Sequence, residues 1–304
     1  MRTAVIYDDV YLKHDLPTHP ENALRLKYFM EPVLKDFPGA LPVLKPRQVS
    51  YGLLTAVHSK NYVQDVIISC RERAPGFFDP DTYFNSFTCD AALMAAGANE
   101  LGVELLLSGE FEALFCAVRP PGHHAERDRA MGFCIFNNVA VAAVKALLMG
   151  AERVFIVDFD AHHGNGTQHI FYEDERVFYF STHQYPFYPG TGSTAENSSH
   201  VLNVPMREGS GDREFLEVYS TLYREAVKEF SPDIILVSAG YDLHADDPLT
   251  GLEVSDGGVE GIIGQIVDSA ISLKVPLLFT LEGGYNLNAL KRCSRITFEI
   301  LTRS

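Results

Sequence analysis

The stretch Val154-Phe155-Ile156-Val157-Asp158-Phe159-Asp160-Ala161-His162-His163-Gly164-Asn165-Gly166 decides how the chain is read. Its apolar first half has the length and composition of a strand buried on both faces. Its second half sets carboxylates, imidazoles and glycines at the carboxyl end of that strand. Side chains alternate along a strand, so Asp158, Asp160 and His162 are expected to project from one side. Burying these groups together is costly unless a cation or hydrogen bonds satisfy them. That cost is the first sign of a reactive site.

Working outward, further apolar runs occur at residues 4–7, 113–118, 177–181, 234–238 and 277–281. Amphipathic stretches separate them at residues 21–35, 89–107, 138–149, 213–230 and 259–273. Strand–helix alternation implies a mainly parallel sheet with helices on both faces, so the fold class is α/β with three layers, α, β and α. The chain has no internal repeat and no Gly/Ser linker, and residues 1–304 are read as a single domain. Ligands bind beyond the carboxyl ends of the strands in such sheets. Besides the opening stretch, three strand ends carry polar clusters. They are Arg119-Pro120-Pro121-Gly122-His123-His124, Tyr241-Asp242-Leu243-His244-Ala245-Asp246-Asp247, and Glu282-Gly283-Gly284-Tyr285-Asn286.

These ends carry compatible chemistry. Asp160, His162 and Asp242 make a sensible zinc set, because catalytic zinc takes three N/O ligands and leaves a position open. His123 and His124, facing a metal, could serve as a general base and an electrostatic partner. Each needs an acceptor to fix its tautomer, and Asp158 and Asn165 flank the metal ligands where they could supply one. Tyr285, on a glycine-rich turn, could donate a hydrogen bond to a developing oxyanion.

Composition narrows the function classes. A net charge of −15 over 304 residues argues against a nucleic-acid partner, which requires a basic surface. The five cysteines contain no C-x-x-C pair, which suits free thiols in a reducing compartment and a cytoplasmic location. The amino terminus reads as a strand and not as a signal peptide, and no apolar run is long enough to span a membrane.

The motifs resemble a known family. Arg119–Ala125, Met131-Gly132-Phe133-Cys134, Asp158–Gln168, Tyr188-Pro189-Gly190-Thr191-Gly192, Ser238–Pro248 and Leu281–Asn286 occur in the order found in histone deacetylases and acetylpolyamine amidohydrolases. That resemblance extends from His14-Asp15 and His19-Pro20-Glu21-Asn22 nearly to the end, and it implies an arginase/deacetylase-like fold and zinc-dependent amide hydrolysis. It makes Asp160, His162 and Asp242 the zinc ligands, and His124 the general base and acid. His123 becomes the electrostatic partner bonded to Asp158, and Tyr285 polarises the acyl carbonyl. Asn165 stands where other members place an aspartate, as is usual in the class II branch and its bacterial relatives. The resemblance also implies a structural potassium ion held by Asp158 and Ser181 side chains and by main-chain oxygens of Asp160, His162 and Thr182.

For substrate, the resemblance implies an acyl-lysine stem passing between Phe133, next to Gly132, and Tyr188. Tyr188 departs from the phenylalanine that most relatives carry. Asp81 is expected near the tunnel rim as an anchor for substrate backbone. Polyamine-selective relatives tend to carry a carboxylate where this chain has Leu249, and the segment 71–79 leaves little room for their dimerising insertion. The expected partner is therefore acetylated lysine in a protein or peptide, with an acetylated polyamine or other small amine as the alternative. An arginase-type dimetal enzyme would need further carboxylates in place of His163-Gly164-Asn165. A silent acetyl-lysine reader would be expected to have lost a ligand, a catalytic histidine or Tyr285, and none is lost.

Overall fold

Each of the six apolar runs becomes a strand of one sheet in the computed structural model, which describes residues 1–303. The strands are β1 (Thr3–Ile6), β2 (Val43–Leu44), β3 (Gly76–Phe77), β4 (Tyr83–Phe84), β5 (Ala113–Cys116), β6 (Val154–Asp158), β7 (Val177–Gln184), β8 (Val201–Met206), β9 (Ile234–Ala239) and β10 (Leu277–Leu281). Eight of them form one sheet in the order β2-β1-β5-β10-β9-β6-β7-β8, while β3 and β4 make a separate antiparallel hairpin. Every pairing in the large sheet is parallel. Strands β5, β6, β9 and β10 are buried throughout, which explains why their sequences are apolar except near their carboxyl ends.

The helices are α1 (Ala23–Lys35), α2 (Tyr51–Val57), α3 (Lys60–Ile68), α4 (Thr88–Leu107), α5 (Asn138–Leu148), α6 (Asn165–Phe171), α7 (Asp212–Val218), α8 (Arg224–Phe230), α9 (Asp256–Leu273) and α10 (Leu287–Arg303). One group packs α2 and α4 against α5; the other packs α1 and α9 against α10, with α7 and α8 against α9. The sheet lies between them, giving the three-layer α/β/α architecture. The expected single helix at 213–230 is interrupted by a π turn at residues 219–223, which lets Tyr219 and Tyr223 both reach the core, with ring centroids 5.3 Å apart. Strand β8 at the sheet edge contains Asn203 and Pro205, and proline is tolerated there because one side of an edge strand needs no ladder partner.

Register prepares the site. Cys116 pairs with Thr280, Thr280 with Ser238, Ser238 with Asp158, and Asp158 with Ser181. Polar side chains thus enter neighbouring strands at one level, where the sheet interior gives way to loops. Thr280 Oγ1 donates to Asn99 Oδ1 (2.6 Å) and Ser238 Oγ donates to Glu282 Oε1 (3.1 Å), so this layer is hydrogen-bonded and not orphaned.

Candidate active site

The loop after β6 brings Asp160 and His162 to Asp242, from the loop after β9. His162 Nδ1 lies 3.1 Å from both Asp160 Oδ1 and Asp242 Oδ2, and one donor atom from each residue falls within 4.8 Å of the others. The carboxylates are held from behind: Asp160 Oδ2 accepts from Gly283 N (2.8 Å), and Asp242 Oδ1 accepts from Ala161 N (2.8 Å). A side chain at Gly283 would collide with both carboxylates, so glycine is required for this close approach. Burial and the neighbouring Asp160 charge push the Asp242 carboxyl up. Burial works against charge on His162 as well, but the two carboxylates lift it to about 10. Two buried carboxylates and one imidazole converging in this way fit a divalent cation such as zinc.

The histidine pair follows β5. Both side chains are almost fully buried, with ring centroids 4.0 Å apart. His123 Nδ1 lies 3.0 Å from Asp158 Oδ2, which also accepts from Tyr179 OH (3.0 Å). Burial disfavours charge on His123, but Asp158 and Asp160 outweigh it and raise the ring to about 10. His124 Nδ1 lies 2.9 Å from Asn165 Oδ1. Burial first, and then the charges of His123 and His162, hold His124 well below the usual histidine range. The surroundings thus shift the two neighbouring rings in opposite directions, His123 up and His124 down.

A cavity of about 450 Å³ opens onto these groups. Gly132, Phe133, Tyr188, Leu249 and Asp81 all line it, together with Tyr285. Phe133 adopts a left-handed backbone (φ 68°), uncommon for a bulky residue, and its amide donates to Thr82 Oγ1 (3.0 Å). Its ring meets His19 edge-on at 4.7 Å, and the Tyr188 ring meets His124 edge-on at 5.3 Å. The Tyr285 amide donates to Asp247 Oδ2 (2.6 Å), and the Arg25 guanidinium lies 4.9 Å from its ring centroid. Burial raises the Tyr285 hydroxyl well above its ordinary value, keeping it a donor.

Of the cation set implied by the resemblance, Asp158 and Ser181 are register partners on β6 and β7, and Asp160, His162 and Thr182 follow directly. Ser181 Oγ is hydrogen-bonded with His183 Nδ1 (2.9 Å) and Thr182 Oγ1 with Tyr219 OH (3.2 Å). His163 does not line the cavity; its ring bonds to Thr191 Oγ1 (2.7 Å) and Gln168 Oε1 (3.0 Å).

Several site residues escape the sequence reading. His19, Pro20 and Phe187 also line the cavity, and Phe187 stacks on His162. Glu282 is fully buried and accepts from Gly122 N (2.7 Å) and His123 N (3.2 Å), fixing the turn that carries the histidines. Below them, Arg119 Nη2 donates to Glu21 Oε2 (2.7 Å) and Arg25 Nη1 to Glu21 Oε1 (3.0 Å). Arg25 also donates from Nε to Gly284 O (2.6 Å), so buried charges tie the loop before α1 to those after β5 and β10.

A histone deacetylase domain model matches residues 19–301. The chain belongs to the histone deacetylase family. It is 37% identical over 297 residues to a probable deacetylase of Archaeoglobus fulgidus, covering 94% of this chain and 82% of that protein. It is likewise 37% identical over 309 residues to the rice protein histone deacetylase 10, chloroplastic, covering 94% of this chain and 70% of that one. The crystal structure of an HDA15 HD domain superposes with a TM-score of 0.93 at 34% identity, covering 98% of this chain and 90% of the other. The sheet and helix layers described above are thus those of a histone deacetylase domain. In this family member no helix among the described residues is long and apolar enough to cross a membrane. All five cysteines are buried and unpaired.

Proposed function

We propose that the whole chain acts as one zinc-dependent catalytic domain that removes acetyl or other short acyl groups from the ε-amine of lysine in proteins or peptides. The observation that carries this reading is that His162, His124 and Tyr285 line one aromatic-walled cavity, with Asp160 and Asp242 gathered on His162. Zinc held by Asp160, His162 and Asp242 would supply a Lewis acid for the acyl carbonyl and an activated water. His124, kept neutral by its surroundings, takes the proton of the attacking water and returns it to the leaving amine. His123, charged against Asp158, stabilises the negative charge that develops nearby. The Tyr285 hydroxyl donates to the oxyanion. Phe133 and Tyr188 enclose the lysine stem, Gly132 lets the wall approach His124, and Asp81 holds substrate backbone at the rim.

Leu249 on the cavity wall supports lysine over polyamine, because it offers no charge to a second ammonium. A potassium ion at Asp158, Asp160, His162, Ser181 and Thr182 belongs to the same reading and is supported by the family resemblance. Location varies among relatives, as the chloroplastic rice protein shows, so the cytoplasmic expectation rests on the cysteine pattern. The decisive experiment compares turnover of an acetyl-lysine peptide, longer acyl-lysine peptides and acetylated polyamines, each before and after chelation. Chelator-sensitive release of acetate from the peptide is expected. A clear preference for acetylpolyamine would overturn the reading of Leu249, and full activity of a demonstrably metal-free sample would overturn zinc dependence.

A further inference from the structure

We propose that Glu126 is a positioning residue for the reaction: its carboxylate fixes the Asn165 amide so that the amide oxygen faces His124. The inference rests on the reading of His124 as the proton-transfer group. Asn165 is the first residue of α6 and is buried between His124 and Glu126. Its Oδ1 lies 2.9 Å from His124 Nδ1, while Nδ2 donates to Glu126 Oε1 (2.7 Å) and more weakly to Met131 Sδ (3.4 Å).

An aspartate at this position would offer His124 equivalent oxygens whichever way it turned. An amide has one acceptor end and one donor end, so its rotation matters. With Oδ1 towards the ring, His124 carries its proton on Nδ1 and leaves Nε2 free to accept the proton of the attacking water. Rotated by half a turn, the amide would present its NH₂ to Nδ1 and leave the N–H on Nε2, the wrong tautomer for a base. Glu126 selects between these states because an ionised carboxylate only accepts hydrogen bonds. The rotated amide would set its oxygen against that carboxylate, leaving two acceptors in contact and a buried donor displaced.

Glu126 is itself well placed for this task. Its backbone amide donates to Arg129 O (2.9 Å), Arg129 Nη2 donates to its carboxylate (2.8 Å), and His169 Nδ1 lies 3.1 Å from the same oxygen. Partial burial opposes its ionisation, but hydrogen bonds from Arg129 and Asn165 hold the carboxyl below its ordinary value. The substitution of amide for acid next to His124 is thereby compensated one residue farther out.

The test uses the full-length enzyme and an acetyl-lysine peptide. Glu126→Ala removes the acceptor and is expected to lower kcat about 10-fold or more, with KM unchanged. Glu126→Gln keeps an oxygen for Asn165 Nδ2 and should recover most of that loss. Asp128→Ala serves as the control, because this side chain is exposed on the same loop and takes no part in holding Glu126 or Asn165; kcat should stay near wild type. Asn165→Asp sets two carboxylates face to face and should be impaired, and adding Glu126→Gln, whose amide can donate, should restore activity. Imidazole ¹⁵N spectra should show His124 protonated at Nδ1 in the wild type and losing that tautomer in Glu126→Ala. Wild-type kcat in Glu126→Ala, an equal loss in Asp128→Ala, or no coupling between positions 126 and 165 would each overturn the proposal. If the wild type fails to act on acyl-lysine, the functional reading fails, while the His124 tautomer in Glu126→Ala still decides the role of Glu126.

Discussion

Gly132 contributes to the site by lacking a side chain. It sits at φ 56°, and a Cβ there would drive into the His124 ring and reach the Tyr188 hydroxyl. Gly132→Ala should therefore cost about 1–2 kcal/mol of stability from the left-handed backbone. Its effect on turnover should be larger, about 10²-fold, because a small displacement of a catalytic group is amplified in the rate. Melting temperature and kcat measured side by side would separate the two, and unchanged kcat would refute the contact. Tyr285→Phe removes only the donor, and turnover is expected to fall about 10²–10³-fold with the fold intact. At this scale the sequence is most informative where chemistry and position coincide. Asp160 and His162 are legible because charged groups rarely end a fully apolar run. Asn165 is legible only as an acceptor; that its amide also has a donor end needing its own partner emerges when Glu126 is seen beside it. Glu282 reads as part of a glycine-rich turn, and nothing local indicates that its carboxylate reaches back to amides 160 residues away in the sequence.

The loops between elements are fixed by buried charge. Glu21 precedes α1, Arg25 lies within it, and Arg119 follows β5; all three are fully buried. Burial opposes the Glu21 charge, but Arg119 and Arg25 overcome it and hold the carboxyl at about 2, against an ordinary 4.5. Folding therefore favours the ionised form. The stabilisation is complete above pH 4.5 and is lost as pH falls towards 2, amounting to about 3 kcal/mol at 1.36 kcal/mol per pH unit. Glu21→Gln should abolish this part of the acid dependence and destabilise the protein by about 3–5 kcal/mol, because the arginines remain buried without their counter-charge. Denaturant melts of both proteins between pH 2 and 6 provide the check, and parallel stability curves would contradict the assignment. Among the elements, buried strands and long apolar helices are legible, whereas β2 has only two residues and β8 is broken by Asn203 and Pro205. Helix α10 buries Leu290, Cys293, Ser294, Thr297, Phe298 and Leu301, a helical spacing partly masked by small polar residues on its core face.

For the molecule as a whole, the zinc reading makes stability depend on metal. Asp160 and Asp242 are fully buried carboxylates at one point, and a cation that binds only the folded state stabilises it by mass action. Chelation is expected to lower the melting temperature, and a hundredfold excess of free metal over its dissociation constant should contribute about 2.7 kcal/mol. Identical melts with and without metal would exclude this. The architecture itself is legible because alternating strands and helices admit few arrangements, yet the strand order is not: β9 and β10, last in sequence, lie between β5 and β6. This order bears on the protein's synthesis. Until residues 234–281 have left the ribosome, β1, β2 and β5 cannot join β6, β7 and β8, because the strands that lie between them are missing. Any sheet that forms before then has an open inner edge, the kind of surface that pairs with other chains and that chaperones cover. Asp242 and Tyr285 arrive with the same late segments. Closing the sheet and completing the hydrolytic centre are consequently one event, and a chain stalled before it holds the histidines of the site without the machinery to use them.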